Sequence, residues 1–169
     1  EPPAYVFFYC DAPSEVGGET PIVLSHQVYK RLLEHAPDFA AKLEDVGVKY
    51  VRVMPAEDDP TSAIGRSWKS TFLTESRSEA EAKMTELGTT WEWLDNGCVR
   101  TVSATVPAIR TDDRNQQKTF FNSVVAAYTG WVDSRNDPTQ AVRCGDDSPV
   151  DADAVLSIAK AMQEDCVAF

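Results

Sequence analysis

The sequence predicts one mixed α+β domain, weighted toward β, in which short strands are broken by helices. Two observations carry that prediction. The chain has 169 residues, 43% hydrophobic and 25% charged, a globular balance on a chain long enough to bury a core. Its apolar residues fall into short strand-length runs and into stretches at helical spacing, separated by turns bearing Gly, Pro, Asn and Asp. No internal repeat or low-complexity block stands out.

Residues 4–10 (AYVFFYC) form a continuous apolar and aromatic run, which predicts a buried strand. Pro13, Gly17 and Gly18 mark the turn that follows. Residues 20–24 (TPIVL) predict a second strand, with Pro21 near its start, where a missing N–H is tolerable. Ser25 is expected to cap a helix whose face carries Val28, Leu32 and Ala36, with Tyr29 and Leu33 alongside. Pro37 restarts a helix through Phe39, Leu43 and Val46, and Gly47 stops it. Residues 48–54 alternate as a strand. Ser76 and Glu79 have capping-box spacing ahead of a helix ending near Gly88. Residues 89–94 and 99–106 predict a hairpin across Asp95-Asn96-Gly97. Residues 118–125 predict another strand. A last helix spans 151–165, with Val155, Ile158, Met162 and Cys166 on one face.

Charge and composition exclude several functions. The net charge is −11 and the isoelectric point is near 4.5, so phosphate-rich partners are repelled and neither nucleic acid nor an anionic membrane is expected. No apolar run approaches the roughly 20 residues of a membrane helix. Cys10, Cys98, Cys144 and Cys166 lie far apart without a C-x-x-C pair and read as reduced thiols. With no basic-then-apolar leader visible, the default setting is cytoplasmic, although a transit peptide could lie in a missing N-terminus. The chain lacks an initial Met and closes on an apolar run. It therefore reads as a segment of a longer protein.

Candidate chemistry is sparse. His26 precedes Gln27-Val28 and His35 precedes Ala36-Pro37, so neither starts an H-x-D/E pair. They are nine residues apart, too far for i, i+4 zinc geometry. No G-x-S-x-G or phosphate loop occurs. The cluster Glu57-Asp58-Asp59 reads as a solvated loop. The informative stretch is Gly17-Gly18-Glu19-Thr20-Pro21. Two glycines allow a sharp turn and close approach of a ligand, and the Thr20 hydroxyl can bond a carboxylate. A plain turn followed by a strand-favouring Thr accounts for the same residues.

The run Phe7-Phe8-Tyr9-Cys10 through Gly17-Gly18-Glu19-Thr20-Pro21-Ile22 resembles the TauD/TfdA-type, taurine dioxygenase-like branch of the iron(II)/2-oxoglutarate dioxygenases. It is similar within that branch to the clavaminate synthase-like proteins. Residues 65–72 (GRSWKSTF) and 121–131 (FNSVVAAYTGW) resemble the same subgroup. The resemblance implies part of a double-stranded β-helix, or jelly roll, with helical insertions. It implies Fe(II) and 2-oxoglutarate as cofactors of the complete protein, and oxidation of a small-molecule substrate. Thr20 matches the family Thr that helps seat 2-oxoglutarate. The family's H-x-D/E pair lies upstream of the FFYC-like strand, and its distal His and carboxylate-gripping Arg lie downstream. The resemblance therefore implies a single partial domain, residues 1–169, truncated at both ends. On this resemblance the segment carries no catalytic or metal-ligating residue and holds neither cofactor tightly.

Trp68, Lys69, Asn122 and Tyr128 sit in the resembling blocks and are candidates for lining a substrate pocket. A core Trp68, a solvated Lys69 and an Asn122 bonded to backbone are the structural alternatives. Trp91 and Trp93 share a strand face and read as packing. Two functions therefore stand: a segment of an oxygenase, or a non-catalytic relative that keeps the scaffold for interaction.

Overall fold

The computed structural model describes residues 5–168. It is a mixed α/β fold with antiparallel sheets. In chain order the elements are β1 (Pro21–Ile22), α1 (Ser25–His35), α2 (Pro37–Val46), β2 (Val48–Met54), α3 (Trp68–Phe72) and α4 (Arg77–Glu86). There follow β3 (Thr90–Trp93), β4 (Val99–Val102), β5 (Ile109–Asp112), β6 (Gln117–Phe120), α5 (Val124–Gly130), β7 (Val142–Cys144), α6 (Ala152–Asp165) and β8 (Val167–Ala168).

The central sheet runs β3-β4-β2-β7, with β5-β6 and β1-β8 as separate two-stranded ribbons. Strand β2 links two cores. At its start, Val48 joins Leu32, Leu43, Val124, Val142, Val155 and Ile158 in the larger cluster, which gathers α1, α2, α5, α6 and β7. At its end, Met54 joins Val99, Trp68, Phe72, Ala80 and Met84 in the smaller one, under α3 and α4. Helix α1 is tied to α6 by a two-pronged ion pair, Arg31 Nε and Nη2 donating to Asp165 at 2.9 and 2.8 Å.

Several expected elements stand as read. Pro37 opens α2 and Gly47 caps it. The β3–β4 hairpin forms, pairing Trp93 with Val99, but its second strand, expected over 99–106, ends at Val102, and Val106 makes only an isolated bridge to Val48. Others are corrected. Residues 5–10 form no strand and are exposed; Ala4 lies outside the described residues. Aromatic content makes a strand only when a partner takes up the backbone groups, and no ladder reaches this segment among the described residues. Ser25 is the first helical residue and Leu24 takes the cap position without a side-chain bond. Ser76 does occupy a cap position, but its hydroxyl meets Ser78 Oγ at 2.9 Å, while Glu79 accepts from Thr74. The capping box is therefore not formed. The strand expected over 118–125 stops at Phe120, because Asn122 turns the chain at φ 101° and α5 begins at Val124. Cys166, expected to share a helix face with Val155, Ile158 and Met162, is the extended C-cap beyond α6 and is exposed.

Candidate functional site

The glycine motif forms an open turn. Gly17 and Gly18 have φ of 75° and 89°, the left-handed region that side chains disfavour. A Cβ on Gly18 would also fall 2.8 Å from Ser14 Oγ. Thr20 is exposed immediately ahead of β1. Beside β1 lies a groove of about 610 Å³, walled by Ile22, Val23, Val125, Leu156 and Met162, with Lys160 and Cys166 also lining it. Thr20 immediately precedes Pro21, which lines this largely apolar groove, but Thr20 is not itself among the lining residues.

A second, polar cleft of about 340 Å³ surrounds Lys69. It rests on α3, whose N-cap Ser67 accepts from Ser70 N at 3.0 Å. Asp58 accepts from Ser67 N and Ser70 Oγ, both at 2.7 Å. Those bonds favour the ionised form and hold its pKa down to about 2. Lys69 pairs with Glu57 and, at 2.9 Å, with Glu75; the two carboxylates raise its pKa. Trp68 sits beneath, 3% exposed, its Nε1 donating to Gly97 O at 3.2 Å and its ring meeting Trp93 edge-on at 5.1 Å.

Residues 1–163 match the family model described as taurine catabolism dioxygenase TauD, TfdA family. The chain belongs to the TauD/TfdA family. It is also 49% identical over 166 residues to a clavaminate synthase-like protein of Arabidopsis thaliana, an alignment covering 98% of this chain and 50% of the relative. The chain spans about half the length of that curated relative.

The remaining candidates of this TauD/TfdA chain lie elsewhere. Asn122 accepts from Tyr50 Oη at 3.1 Å and donates to Pro107 O at 3.0 Å. Burial pushes the Tyr50 pKa up to about 12, and its ring tilts against Trp131 at 5.6 Å. Tyr128 is half-buried against the larger core. Trp68 therefore belongs to the smaller core and Lys69 to the polar cleft beside it, whereas Tyr128 packs against the larger core and Asn122 is bonded to Tyr50 and Pro107. The structure does not gather the four around one described cavity.

One polar cluster escaped sequence reasoning. Arg135 Nη2 donates at 2.7 Å to both Asp59 and Asp133, and Ser62 Oγ donates to Asp133 at 2.9 Å. Asn136 both accepts from Val53 N at 2.7 Å and donates to Val53 O at 3.1 Å, pairing with β2 as a neighbouring strand would. Burial alone would raise the Asp133 pKa, but bonds from Arg135 N, Asn136, Arg135 and Ser62 hold it far below the usual carboxylate range. The available signal was an Asn two residues before a Pro, which reads only as a loop.

Among the described residues, no group of three or more His, Cys, Asp and Glu side chains is placed to hold a metal ion. His26 and His35 lie at opposite ends of α1. The donor set of a mononuclear iron is not assembled by these residues.

Proposed function

We propose that this TauD/TfdA segment is part of an iron(II)/2-oxoglutarate-dependent oxygenase that hydroxylates or otherwise oxidises a small molecule. The family match across residues 1–163 carries this reading. When bound in the longer protein, iron and 2-oxoglutarate would supply the oxygen chemistry, the keto acid losing CO2 to end as succinate as O2 gives one oxygen atom to succinate and one to the substrate. In this reading the antiparallel strands are part of a jelly roll, and the helices cover the substrate.

Thr20 donates its hydroxyl to a carboxylate of 2-oxoglutarate. Its exposure after two left-handed glycines supports that role. One hydroxyl cannot hold a dianion without a cationic partner, so this chain alone binds neither iron nor 2-oxoglutarate tightly. Lys69 is already paired with two carboxylates, so its contribution is to the cleft wall and to polar groups of a substrate. Trp68 supports that wall from below. Asn122 and Tyr128 line the substrate side of the larger core. The net charge of −11 disfavours nucleic acid as substrate.

Titration of 2-oxoglutarate into the longer protein tests the role of Thr20. Thr20→Val is expected to weaken binding by about tenfold or more, the worth of one hydrogen bond to a charged group. An unchanged affinity assigns the GGET turn to structure alone.

A further inference from the structure

The chain has 27 acidic residues against 16 lysines and arginines, so carboxylates outnumber their cationic partners. Most arginine side chains do find a partner. Arg31, Arg114 and Arg135 meet Asp165, Asp112 and Asp133. Arg52 and Arg66 donate to backbone carbonyls, and Arg77 and Arg110 lie over the rings of Trp93 and Phe121. Arg100 and Arg143 have no such partner among the described residues. Both are half-buried, and both line one cleft of about 230 Å³. A guanidinium drawn partly out of water carries a cost that an acceptor relieves, and here two of them share one cleft.

Strand register explains how they meet. On β2, Val53 stands opposite Arg100 of β4, and Lys49 opposite Arg143 of β7. Positions 49, 51 and 53 share one face of the sheet. The two arginines therefore come to the cleft from opposite flanks of β2 and from opposite ends of its run. Val51 and Val53 lie between them as an apolar floor. Most of the remaining polar lining is already engaged. Arg135 is held by Asp59 and Asp133, Asn136 by Val53, and Asp137 accepts from Thr139 N and Oγ1. Beside Arg143, Lys49 is paired with Asp147 at 2.7 Å. Opposite Arg100, Glu92 of β3 is exposed and forms no ion pair with it.

We propose that this cleft binds a small aliphatic dicarboxylate, with one carboxylate on Arg100, the other on Arg143, and the methylene groups on Val51 and Val53. Each guanidinium fork matches one carboxylate, and the floor between them matches the short apolar chain that joins the two. A single phosphate would meet one arginine and leave the other without an acceptor. The cleft is smaller than the roughly 300–1,000 Å³ of drug-sized pockets, so the ligand is small. Thr20 is not in its lining, and the proposal does not use the 2-oxoglutarate role given to that residue.

Phenylglyoxal modifies accessible guanidinium groups, and peptide mass spectrometry locates the adducts. The reaction is run on the longer protein with succinate as the probe. Succinate is expected to slow modification of both Arg100 and Arg143 by about fivefold or more, as mass action gives once the site is mostly filled, and to leave Arg66 unchanged. Sodium chloride at matched ionic strength should protect neither. Arg143→Gln should remove the protection of Arg100, and Arg100→Gln that of Arg143, because a ligand held at one end is released. Neither side chain has a partner in the fold, so both variants should keep the wild-type Tm. Succinate that protects neither arginine, or only one, overturns the proposal. Equal protection by sodium chloride overturns it in favour of charge screening, and stronger protection by inorganic phosphate overturns it in favour of a phosphate site. Two arginines that resist the reagent without any added anion also overturn it, because the cleft is then covered in the longer protein. Modification is read without iron or turnover, so an inactive longer protein would defeat the oxygenase reading and leave this one standing.

Discussion

Replacing Trp68 by Ala is expected to be among the most destabilising single changes in the chain. The indole is 3% exposed and packs in the cluster formed by Met54, Phe72, Ala80, Met84 and Val99. It meets Trp93 edge-on at 5.1 Å and donates to Gly97 O at 3.2 Å. Truncating a large buried aromatic costs about 4 kcal/mol. With a urea m-value of about 2 kcal/mol/M, the unfolding midpoint should fall by about 2 M. Trp68→Phe keeps most of the packing and forfeits the indole bond, so it should cost about 1–2 kcal/mol. Urea unfolding followed by far-UV circular dichroism reads both variants without relying on tryptophan emission. A Trp68→Ala variant within about 0.5 kcal/mol of wild type would refute the reasoning. It would return Trp68 to an open pocket wall.

Asp133→Asn keeps the shape of the side chain and removes the charge held by Arg135. Asp133 is 8% exposed and Arg135 18%, so urea unfolding should register a loss of about 2–3 kcal/mol; no loss would mean that the cluster is idle. The carboxyls of Asp58, Asp59, Asp133 and Asp165 all sit below their ordinary value in the fold. Their stabilisation is therefore present above about pH 4 and lost as pH falls through the depressed folded values. Thermal scans should show Tm level from about pH 7 to 5 and falling steeply below 4; a level Tm down to about pH 2.5 would contradict those pairings. Gly145→Ala would set a Cβ 1.7 Å from Val46 O and 2.8 Å from Thr105 Cγ2, and should cost about 3 kcal/mol. Gly130→Ala meets nothing within 4 Å and should be neutral or stabilising by up to about 1 kcal/mol; equal effects of the two would show that the close approach at Gly145 is absent.

The sequence disclosed elements whose signals are local. Pro37 and Gly47 bound α2 because a proline suits a helix start and a left-handed glycine suits its end. The Asp-Asn-Gly turn announced β3 and β4 because turn chemistry and alternation agree. Elements fixed by distant partners stayed hidden. Strand β7 is three residues long and exists because it pairs with β2 about a hundred positions earlier. Residues 5–10 have the composition of a strand and no ladder among the described residues. In the candidate site, Gly17, Gly18 and Thr20 were legible because glycine pairs mark backbone that other residues resist. The Lys69 cleft and the Arg135 cluster were not. They depend on Glu57 meeting a residue 12 positions away and Asp59 one 76 positions away, and nothing local encodes such meetings.

Trp68 and Lys69 lie at the smaller core and its cleft, Tyr128 packs against the larger core and Asn122 bonds to Tyr50, so the oxygenase reading rests on the family match and on Thr20 more than on a gathered pocket. Iron-dependent conversion of 2-oxoglutarate to succinate by the longer protein, under oxygen, tests it most directly. Succinate should form only when iron and oxygen are both supplied, and Thr20→Val should raise the half-saturating 2-oxoglutarate concentration by about tenfold. Absence of succinate, or its formation at the same rate without iron, would contradict the account.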